Sequence, residues 1–281
     1  MNGEPGAGSG SAAAEAGPAP LPAPRSPAAL RWRLITHATG RPGAQNMGVD
    51  QALLDDVERR GDVAYLRLYR WTPACLSFGR NEPALARYDR ARIEQLGIDV
   101  VRRPTGGRAV WHDDEVTYAV AAPVDAMGCL RDSYHAIHQR LARALRSLGA
   151  DAVLASPLHR PGALGAGACF AQPVGGEVLV KGRKVVGSAQ VRQGTAFLQH
   201  GSILLGGSQD LVTRVSRERT AAPNATTLSE ALGRRVEFDE VVHAVSDTWL
   251  ENQEVWESRD LPALPPSRLT AFSDPSWTWR R

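Results

Sequence analysis

Cysteine is scarce in this chain, and neither sign of charge dominates. The 281 residues include three cysteines, Cys75, Cys129 and Cys169, at no paired short spacing, which excludes a disulfide framework and a four-thiolate zinc site. The 33 Lys and Arg barely outnumber the 30 Asp and Glu, and no basic run concentrates the net charge of +3. A nucleic-acid-binding protein is therefore disfavoured. No apolar run approaches the roughly 18 to 20 residues needed to cross a bilayer, so we expect a soluble protein.

Large apolar residues are also rare in the first 29 positions, which are almost entirely Ala, Gly, Pro and Ser. Such a segment cannot bury enough apolar area to offset its ordering entropy, so we predict a disordered tail over 1–29. It lacks the basic start and apolar core of a secretory signal, and we expect a cytoplasmic protein. The remaining length suits one domain of about 250 residues. We predict that domain over 30–255 and an irregular extension, packed on it, over 256–281.

Strand-like and helix-like patterns follow one another without the regular alternation of a doubly wound parallel sheet. The clearest helix runs from Leu130 to Leu148 with one apolar stripe, and Gly149 is placed to end it. Further helices are predicted at 45–60, 83–96, 209–216, 228–232 and 238–251, and strands at 32–36, 63–70, 98–102, 108–112, 116–122, 177–180, 184–192 and 195–205. This order predicts an α+β fold, in which a mixed or antiparallel β-sheet is backed by helices on one face.

Two predicted strands are joined by a turn of small residues within 102–113. The turn reads Pro104-Thr105-Gly106-Gly107 and is flanked by Arg103 and Arg108. Its glycines let the backbone approach a ligand closely, with N–H groups aimed at an oxygen. The spacing fits neither a phosphate-binding P-loop nor a dinucleotide fingerprint. A hairpin loop with a solvated basic rim would explain the same residues, and that alternative stays open.

One cysteine differs from the other two in its surroundings. Cys169 lies among glycines and alanines in a predicted loop, which favours an accessible thiol, whereas Cys75 and Cys129 adjoin apolar segments and are assigned to packing. Thiol chemistry also needs a group that promotes the thiolate. Lys184 is the candidate, because Gly187 and Ser188 leave room beside it.

Two other patterns are set aside. His135 and His138 share a helical face but lack an obvious third metal ligand. His200, Ser202 and Asp210 contain the residue types of a serine triad without the context of a nucleophile elbow. His112 and His200 are left as candidate site-lining groups.

An ordered series of segments resembles the catalytic domain shared by biotin protein ligases, lipoate protein ligases and octanoyltransferases. The series comprises 46–53, 76–80, 102–113, 118–120, Cys169-Phe170, 184–190 and 198–202. Arg108 at the third position of the glycine turn and the Ala168-Cys169-Phe170 segment are most similar to the LipM-type octanoyltransferases. The chain departs from the family pattern after Cys169, where it reads Pro173-Val174-Gly175-Gly176-Glu177.

The resemblance implies that 30–255 is an acyltransferase domain. Such an enzyme moves an octanoyl group from a carrier-protein thioester, through an acyl-enzyme on Cys169, to a lysine of the glycine cleavage H protein or of a lipoyl domain. Lys184 would hold the acyl carbonyl, and residues near Val110 and Tyr118 would line the acyl tunnel. The implied substrate-binding residues are Arg103, Thr105, Gly106, Gly107, Arg108, His112, Gly187, Ser188, Ala189 and His200. No cofactor or metal is implied, and we expect a monomer.

Two other functions stay open at this point. In an ATP-dependent lipoate or octanoate ligase, Lys184 would contact an acyl-adenylate and Cys169 would take no part. A non-catalytic binder of a lipoyl domain or a fatty acid could keep the same fold. The short chain left after the last predicted helix argues against the accessory domain that large ligases usually add.

Overall fold

The computed structural model describes residues 1, 30–156, 176–218, 223–250, 256–258 and 265–280. The predicted tail over 2–29 therefore lies outside the described residues, and so does Cys169, within 157–175.

The helices and strands of the described residues are β1 (Arg31–Arg41), α1 (Gly43–Arg60), β2 (Val63–Trp71), β3 (Cys75–Phe78), α2 (Ala84–Arg87), α3 (Arg90–Gln95), β4 (Asp99–Arg102), β5 (Val110–His112), β6 (Glu115–Pro123), α4 (Leu130–Ser147), β7 (Ala152–Leu154), β8 (Val178–Val180), β9 (Arg183–Lys184), β10 (Val186–Gln193), β11 (Ala196–Leu204), α5 (Asp210–Val215), α6 (Leu228–Leu232), α7 (Phe238–Leu250), β12 (Trp256–Ser258), α8 (Pro266–Ser273) and α9 (Pro275–Thr278). The predicted helices and strands recur among them in the predicted order, together with β3, β7, β12, α8 and α9, which were not predicted. No helix in this part of the chain is long and apolar enough to span a membrane.

One sheet of six strands forms the centre of the fold, in the order β10-β11-β6-β2-β1-β12. Strand β1 pairs in parallel with β2 and β12, whereas β2, β6, β11 and β10 are joined by antiparallel pairs. Two three-stranded sheets, β4-β3-β5 and β7-β8-β9, complete the β-structure of the described residues. The sheet is mixed and backed by helices, which confirms the predicted α+β class.

Helices cover both faces of the large sheet, so the prediction that they back only one face is wrong. In β2, Leu66 and Leu68 belong to the same apolar cluster as α4 and α7, whereas Tyr65 and Tyr69 pack with α1 on the opposite face. Every residue of β6 is buried. A strand with apolar side chains on both faces has to be covered on both. Helix α1 covers one face, and α4 and α7 cover the other.

The predicted helix over 83–96 is two short helices, α2 and α3. Tyr88 separates them in an extended conformation and forms a bridge to Ser216. Its hydroxyl donates to the buried carboxylate of Glu82 at 2.6 Å. The Asp89 side chain then accepts a hydrogen bond from the backbone N–H of Arg92 and caps α3. A tertiary contact therefore interrupts a segment whose local pattern predicts one helix.

The extension over 256–281 was predicted to be irregular, but its described part contains α8 and α9. Pro266 and Pro275 occupy the first turns of these helices, where a missing N–H costs nothing. The buried guanidinium of Arg102 donates to the carbonyl oxygens of Trp277, Thr278 and Arg280. These hydrogen bonds hold the end of the chain against β4.

The two described cysteines differ from each other. Cys75 is buried, which confirms its assignment to packing, and burial raises the pKa of its thiol. Cys129 is exposed at the N-terminus of α4, so its assignment to packing is wrong. A residue just before the first turn of a surface helix need not join the apolar stripe that begins one residue later.

Candidate active site

A pocket that encloses about 350 Å³ of space between atoms, open solvent included, lies where α1, β5, β10 and β11 meet. Its lining residues come from α1, from β3 and β5, from the antiparallel strands β2, β6, β10 and β11 of the large sheet, and from Arg103. They are Met47, Tyr69, Trp71, Ser77, Arg103, Val110, His112, Thr117, Gly187, Ser188, Ala189, His200, Gly201 and Ser202.

The glycine turn lies beside this cavity and is fixed by a buried arginine. The Arg103 guanidinium donates to the carbonyl oxygens of Gly106 at 2.8 Å and Arg108 at 2.7 Å. It also donates to the carbonyl and hydroxyl oxygens of Ser77 on β3. A Cβ on Gly79 would lie 2.0 Å from the Gly107 carbonyl oxygen, so only glycine allows the turn to approach β3 this closely. The turn is therefore a rigid wall of the site.

Two series of hydroxyl, imidazole and carboxylate groups meet at the cavity. We call the first the His200 triad: Asp50 on α1, His200 on β11 and Thr105 in the glycine turn. His200 Nδ1 lies 2.8 Å from Asp50 Oδ2, and its Nε2 lies 2.6 Å from Thr105 Oγ1. The Arg67 guanidinium pairs with the same carboxylate at 2.6 Å, and the Tyr69 hydroxyl donates to it at 2.9 Å. Five buried groups thus bind α1, β2, β11 and the glycine turn together.

The charges of the His200 triad are set by burial and by Arg67. Burial lowers the pKa of His200 below its ordinary value, although the Asp50 carboxylate opposes that shift. Burial alone would raise the pKa of Asp50, but the Arg67 guanidinium and the hydrogen bond from His200 hold it below its ordinary value. Asp50 is therefore ionised and His200 neutral near pH 7.

We call the second series the His112 triad: Ser77 on β3, His112 on β5 and Glu115 on β6. Ser77 Oγ lies 2.7 Å from His112 Nε2, and His112 Nδ1 lies 2.9 Å from Glu115 Oε1. The same carboxylate oxygen accepts hydrogen bonds from Ser202 and Thr117. All three members of the triad are buried, and both Ser77 and His112 line the cavity.

Ser188 forms a third polar contact on the cavity wall. Its hydroxyl lies 2.6 Å from the Tyr118 hydroxyl and 2.7 Å from His138 Nε2. Burial lowers the pKa of His138 to about 3, and the nearby Lys184 charge adds to that shift. His138 is thus a neutral hydrogen-bonding group of α4. Among the described residues, no cluster of three or more His, Cys, Asp or Glu could hold a metal ion.

Lys184 is buried in an ion pair, with its Nζ 2.6 Å from Glu177 Oε1. Its side chain does not line the cavity formed by the described residues. The sequence predicts open space beside Lys184, whereas the structure places a carboxylate there. Glu177 follows the segment that contains Cys169, so the ion pair fixes the point where that segment joins β8.

The structure brings together six of the ten predicted substrate-binding residues as cavity lining: Arg103, His112, Gly187, Ser188, Ala189 and His200. The other four lie in the adjacent turn: Thr105 bonds His200, and Gly106, Gly107 and Arg108 complete the wall that Arg103 fixes. Val110 and Tyr118 were named in the prediction of an acyl tunnel. Val110 lines the cavity, and the Tyr118 hydroxyl contacts the lining residue Ser188.

The list of predicted site residues missed both carboxylates, Asp50 and Glu115, and also Ser77 and Arg67. A signal for two of them was present, because Asp50 interrupts the mostly apolar stretch 47–54 and Arg67 lies among apolar residues of a strand. A charged residue inside an otherwise buried segment is expected to have a partner of opposite charge.

With this geometry in place, comparison with known proteins identifies the family. Residues 42–249 match the lipoyl protein ligase A/B catalytic domain. The chain belongs to this family.

Similar curated proteins carry one name, Octanoyltransferase LipM. The protein from Kyrpidia tusciae is 39% identical over 238 residues, which cover 78% of this chain and 86% of the relative. The protein from Carboxydothermus hydrogenoformans is 40% identical over 66% of this chain and 68% of its own. The protein from Bacillus subtilis is 31% identical over 89% of this chain and 98% of its own.

Solved structures share the fold at lower identity. Lipoate-protein ligase A bound with ATP superposes with a TM-score of 0.71 at 21% identity, covering 89% of this chain and 98% of that one. Protein Ta0514 from T. acidophilum with bound lipoic acid gives a TM-score of 0.68 at 23% identity, over 89% of this chain and 99% of that one.

Proposed function

We propose that this chain is an octanoyltransferase of lipoate biosynthesis, which moves an octanoyl group from a carrier-protein thioester to a lysine of a lipoyl-accepting protein. The observation that carries the proposal is the identity of 31% to 40% to proteins named Octanoyltransferase LipM, over most of the chain. The donor is octanoyl-acyl carrier protein, and the acceptor is the glycine cleavage H protein or a lipoyl domain. Residues 30–255 form the catalytic domain, and 256–281 form an extension packed on it.

Cys169 is the nucleophile of the proposed reaction. Its thiolate attacks the carbonyl carbon of the donor thioester, the carrier thiol leaves, and octanoyl-cysteine forms. The neutral amine of the acceptor lysine then attacks that carbonyl, an amide forms, the amine loses its proton and the Cys169 thiol is released. Thioester exchange is nearly balanced in free energy and amide formation is downhill, so no ATP is needed.

The other two cysteines are poorer candidates for this role. Burial and the neighbouring Asp99 carboxylate raise the pKa of the Cys75 thiol, which keeps it protonated and unreactive. Cys129 is exposed at the start of α4, where its side chain does not line the described cavity.

The proposed acyl group binds at the cavity. Met47, Trp71 and Val110 supply apolar surface, while Arg103 and the glycine turn supply polar groups for the acyl head. Lys184 contributes a positive charge that favours the thiolate and the developing oxyanion. Glu177 Oε1 lies 2.6 Å from its Nζ and offsets part of that charge, so this role requires the ion pair to rearrange when the substrate binds.

The test is incubation of the protein with octanoyl-acyl carrier protein in the absence of ATP, followed by intact-mass analysis. We expect an octanoyl adduct that hydroxylamine removes, and its loss in Cys169→Ala. Cys129→Ala is the matched control, because it removes an exposed thiol and should retain the adduct. Modification that requires ATP would point to a ligase, and the absence of both adduct and transfer would point to a binder. Either result contradicts the proposal.

A further inference from the structure

The His112 triad has the connectivity that activates a serine in hydrolases, a use that the transferase reaction through Cys169 leaves open. In that arrangement the imidazole accepts the hydroxyl proton at one nitrogen, while a carboxylate accepts a hydrogen bond from the other nitrogen and stabilises the imidazolium. Here Ser77 Oγ and Glu115 Oε1 lie 2.7 and 2.9 Å from the two ring nitrogens of His112. Both distances are within direct hydrogen-bonding range.

The His200 triad has the same connectivity but a different charge balance. The Asp50 carboxylate is shared between His200 and the Arg67 guanidinium, which lies 2.6 Å from it, and burial keeps the pKa of His200 below its ordinary value. In the part of the chain that the structure describes, no arginine or lysine pairs with Glu115, whose contact with a basic side chain is the one with His112. Glu115 Oε2 is also buried without a hydrogen-bond partner there. A carboxylate without an arginine partner can stabilise the imidazolium that forms when the serine hydroxyl loses its proton, and this selects His112 as the proton acceptor.

The hydroxyl end of the His112 triad is suited to carry negative charge. Arg103 Nη1 donates to Ser77 Oγ at 3.0 Å, and the guanidinium is buried. A fixed cation beside the attacking oxygen stabilises both an alkoxide and the oxyanion that forms on the substrate. The Trp71 ring stacks on His112 with 4.1 Å between ring centroids, which holds the imidazole plane in place.

We propose that Ser77 is a second acyl acceptor and that it gives the protein hydrolase activity toward medium-chain acyl thioesters. Ser77 Oγ attacks the acyl carbonyl carbon while His112 takes the hydroxyl proton, the carbon–sulfur bond breaks, and the leaving thiolate takes that proton. Water deprotonated by His112 then attacks the serine ester, which releases the carboxylic acid and restores the hydroxyl. This activity uses the cavity described above but not Cys169, so it goes beyond the transferase reaction.

The first test uses a fluorophosphonate probe, which reacts with activated serines. The starting protein is Cys169→Ala, so that thiol chemistry makes no contribution. We expect a single adduct, mapped by peptide mass to Ser77, and its loss in Ser77→Ala. Ser246→Ala is the matched control, because that buried hydroxyl on α7 donates to the Val242 carbonyl and does not line the cavity formed by the described residues, so labelling should not change. No adduct, or an adduct on Thr105 or Ser202, would overturn the proposal.

The second test measures hydrolysis of a soluble octanoyl thioester by the Cys169→Ala protein. Glu115→Gln keeps the side-chain shape but removes the charge, so we expect hydrolysis and probe labelling to slow by about 10² to 10⁴-fold. This variant also serves if Ser77→Ala does not fold, and thermal unfolding checks both. Unchanged rates in folded Glu115→Gln would refute the assignment. Loss of octanoyl transfer with Ser77 labelling intact would contradict the proposed function alone.

Discussion

Two buried carboxylates near one cavity differ in their charged partners, because Asp50 pairs with an arginine and Glu115 does not among the described residues. Asp50 pairs with Arg67, accepts hydrogen bonds from Tyr69 and His200, and ties α1 to β2 and β11. Glu115 is bonded by His112 and by two hydroxyl groups. The same hydrogen-bond connectivity therefore supports a structural brace in the His200 triad and a proton acceptor in the His112 triad. Connectivity alone does not identify a catalytic group, and the counter-charge has to be included.

The largest expected effect is a difference between variants of the two carboxylates in how much unfolding free energy the protein loses. Asp50→Asn leaves the Arg67 guanidinium buried without a compensating charge, and breaking a buried ion pair in this way costs about 3 to 5 kcal/mol. Glu115→Gln retains an acceptor for His112 and strands no arginine, so its cost should be about 1 to 2 kcal/mol. The measurement is the free energy of unfolding in urea for both variants. Equal losses would show that the arginine does not distinguish the two sites.

The second prediction concerns the protonation of His200. Its pKa is lowered in the folded protein, whereas in the unfolded chain it titrates near 6.5. Below pH 6.5 His200 is protonated in the unfolded state but not in the folded state. The free energy of unfolding therefore decreases as the pH falls toward the folded pKa. The stability difference between wild type and His200→Gln should therefore shrink below pH 6.5, by up to about 1.4 kcal/mol per pH unit.

Comparing these two proteins at each pH removes the contributions of other histidines, such as His138, which both proteins share. The measurement is urea unfolding at several values between pH 5 and pH 8, conditions chosen to span the ordinary histidine pKa of about 6.5. A difference that stays constant over this range would mean that folding does not lower the pKa of His200, and one that grows toward acid would mean that folding raises it. Either result would contradict the proposed contrast between His200 as a neutral structural group and His112 as the proton acceptor.

The local sequence pattern was sufficient to predict most of the helices and strands, but not what packs against each of them. The apolar stripe of α4 is visible in the sequence because its period is regular. The error over the faces of the sheet came from β2, whose two faces are both apolar, since alternation cannot show on which side a helix will pack. The split between α2 and α3 depends on the distant contact of Tyr88 with Ser216.

The candidate site was predictable where its residues lie in a short motif. The glycine turn, Gly187 and Ser188 were found in this way, together with both cavity histidines. The partners of those histidines were not all found, because the bond between His200 and Asp50 joins positions 150 residues apart. Spacing along the chain carries no information about such a contact. The signal for Asp50 was a charged residue inside the mostly apolar stretch 47–54.

The smallest expected effect tests how much one hydrogen bond to Asp50 contributes to the free energy of unfolding. Tyr69→Phe removes the hydroxyl that donates to Asp50 Oδ2 at 2.9 Å, and the loss should be about 1 to 2 kcal/mol because the acceptor is charged and buried. Tyr65→Phe is the matched control, because Tyr65 lies on the same strand as Tyr69 and its hydroxyl donates to Asp56 at 2.6 Å. The Asp56 carboxylate is partly exposed, so water can replace the lost donor. Unfolding in urea should therefore show a greater loss for Tyr69→Phe than for Tyr65→Phe. An equal or smaller loss for Tyr69→Phe would mean that Arg67 and His200 alone satisfy the Asp50 carboxylate, and that the Tyr69 hydroxyl adds no stability to the His200 triad.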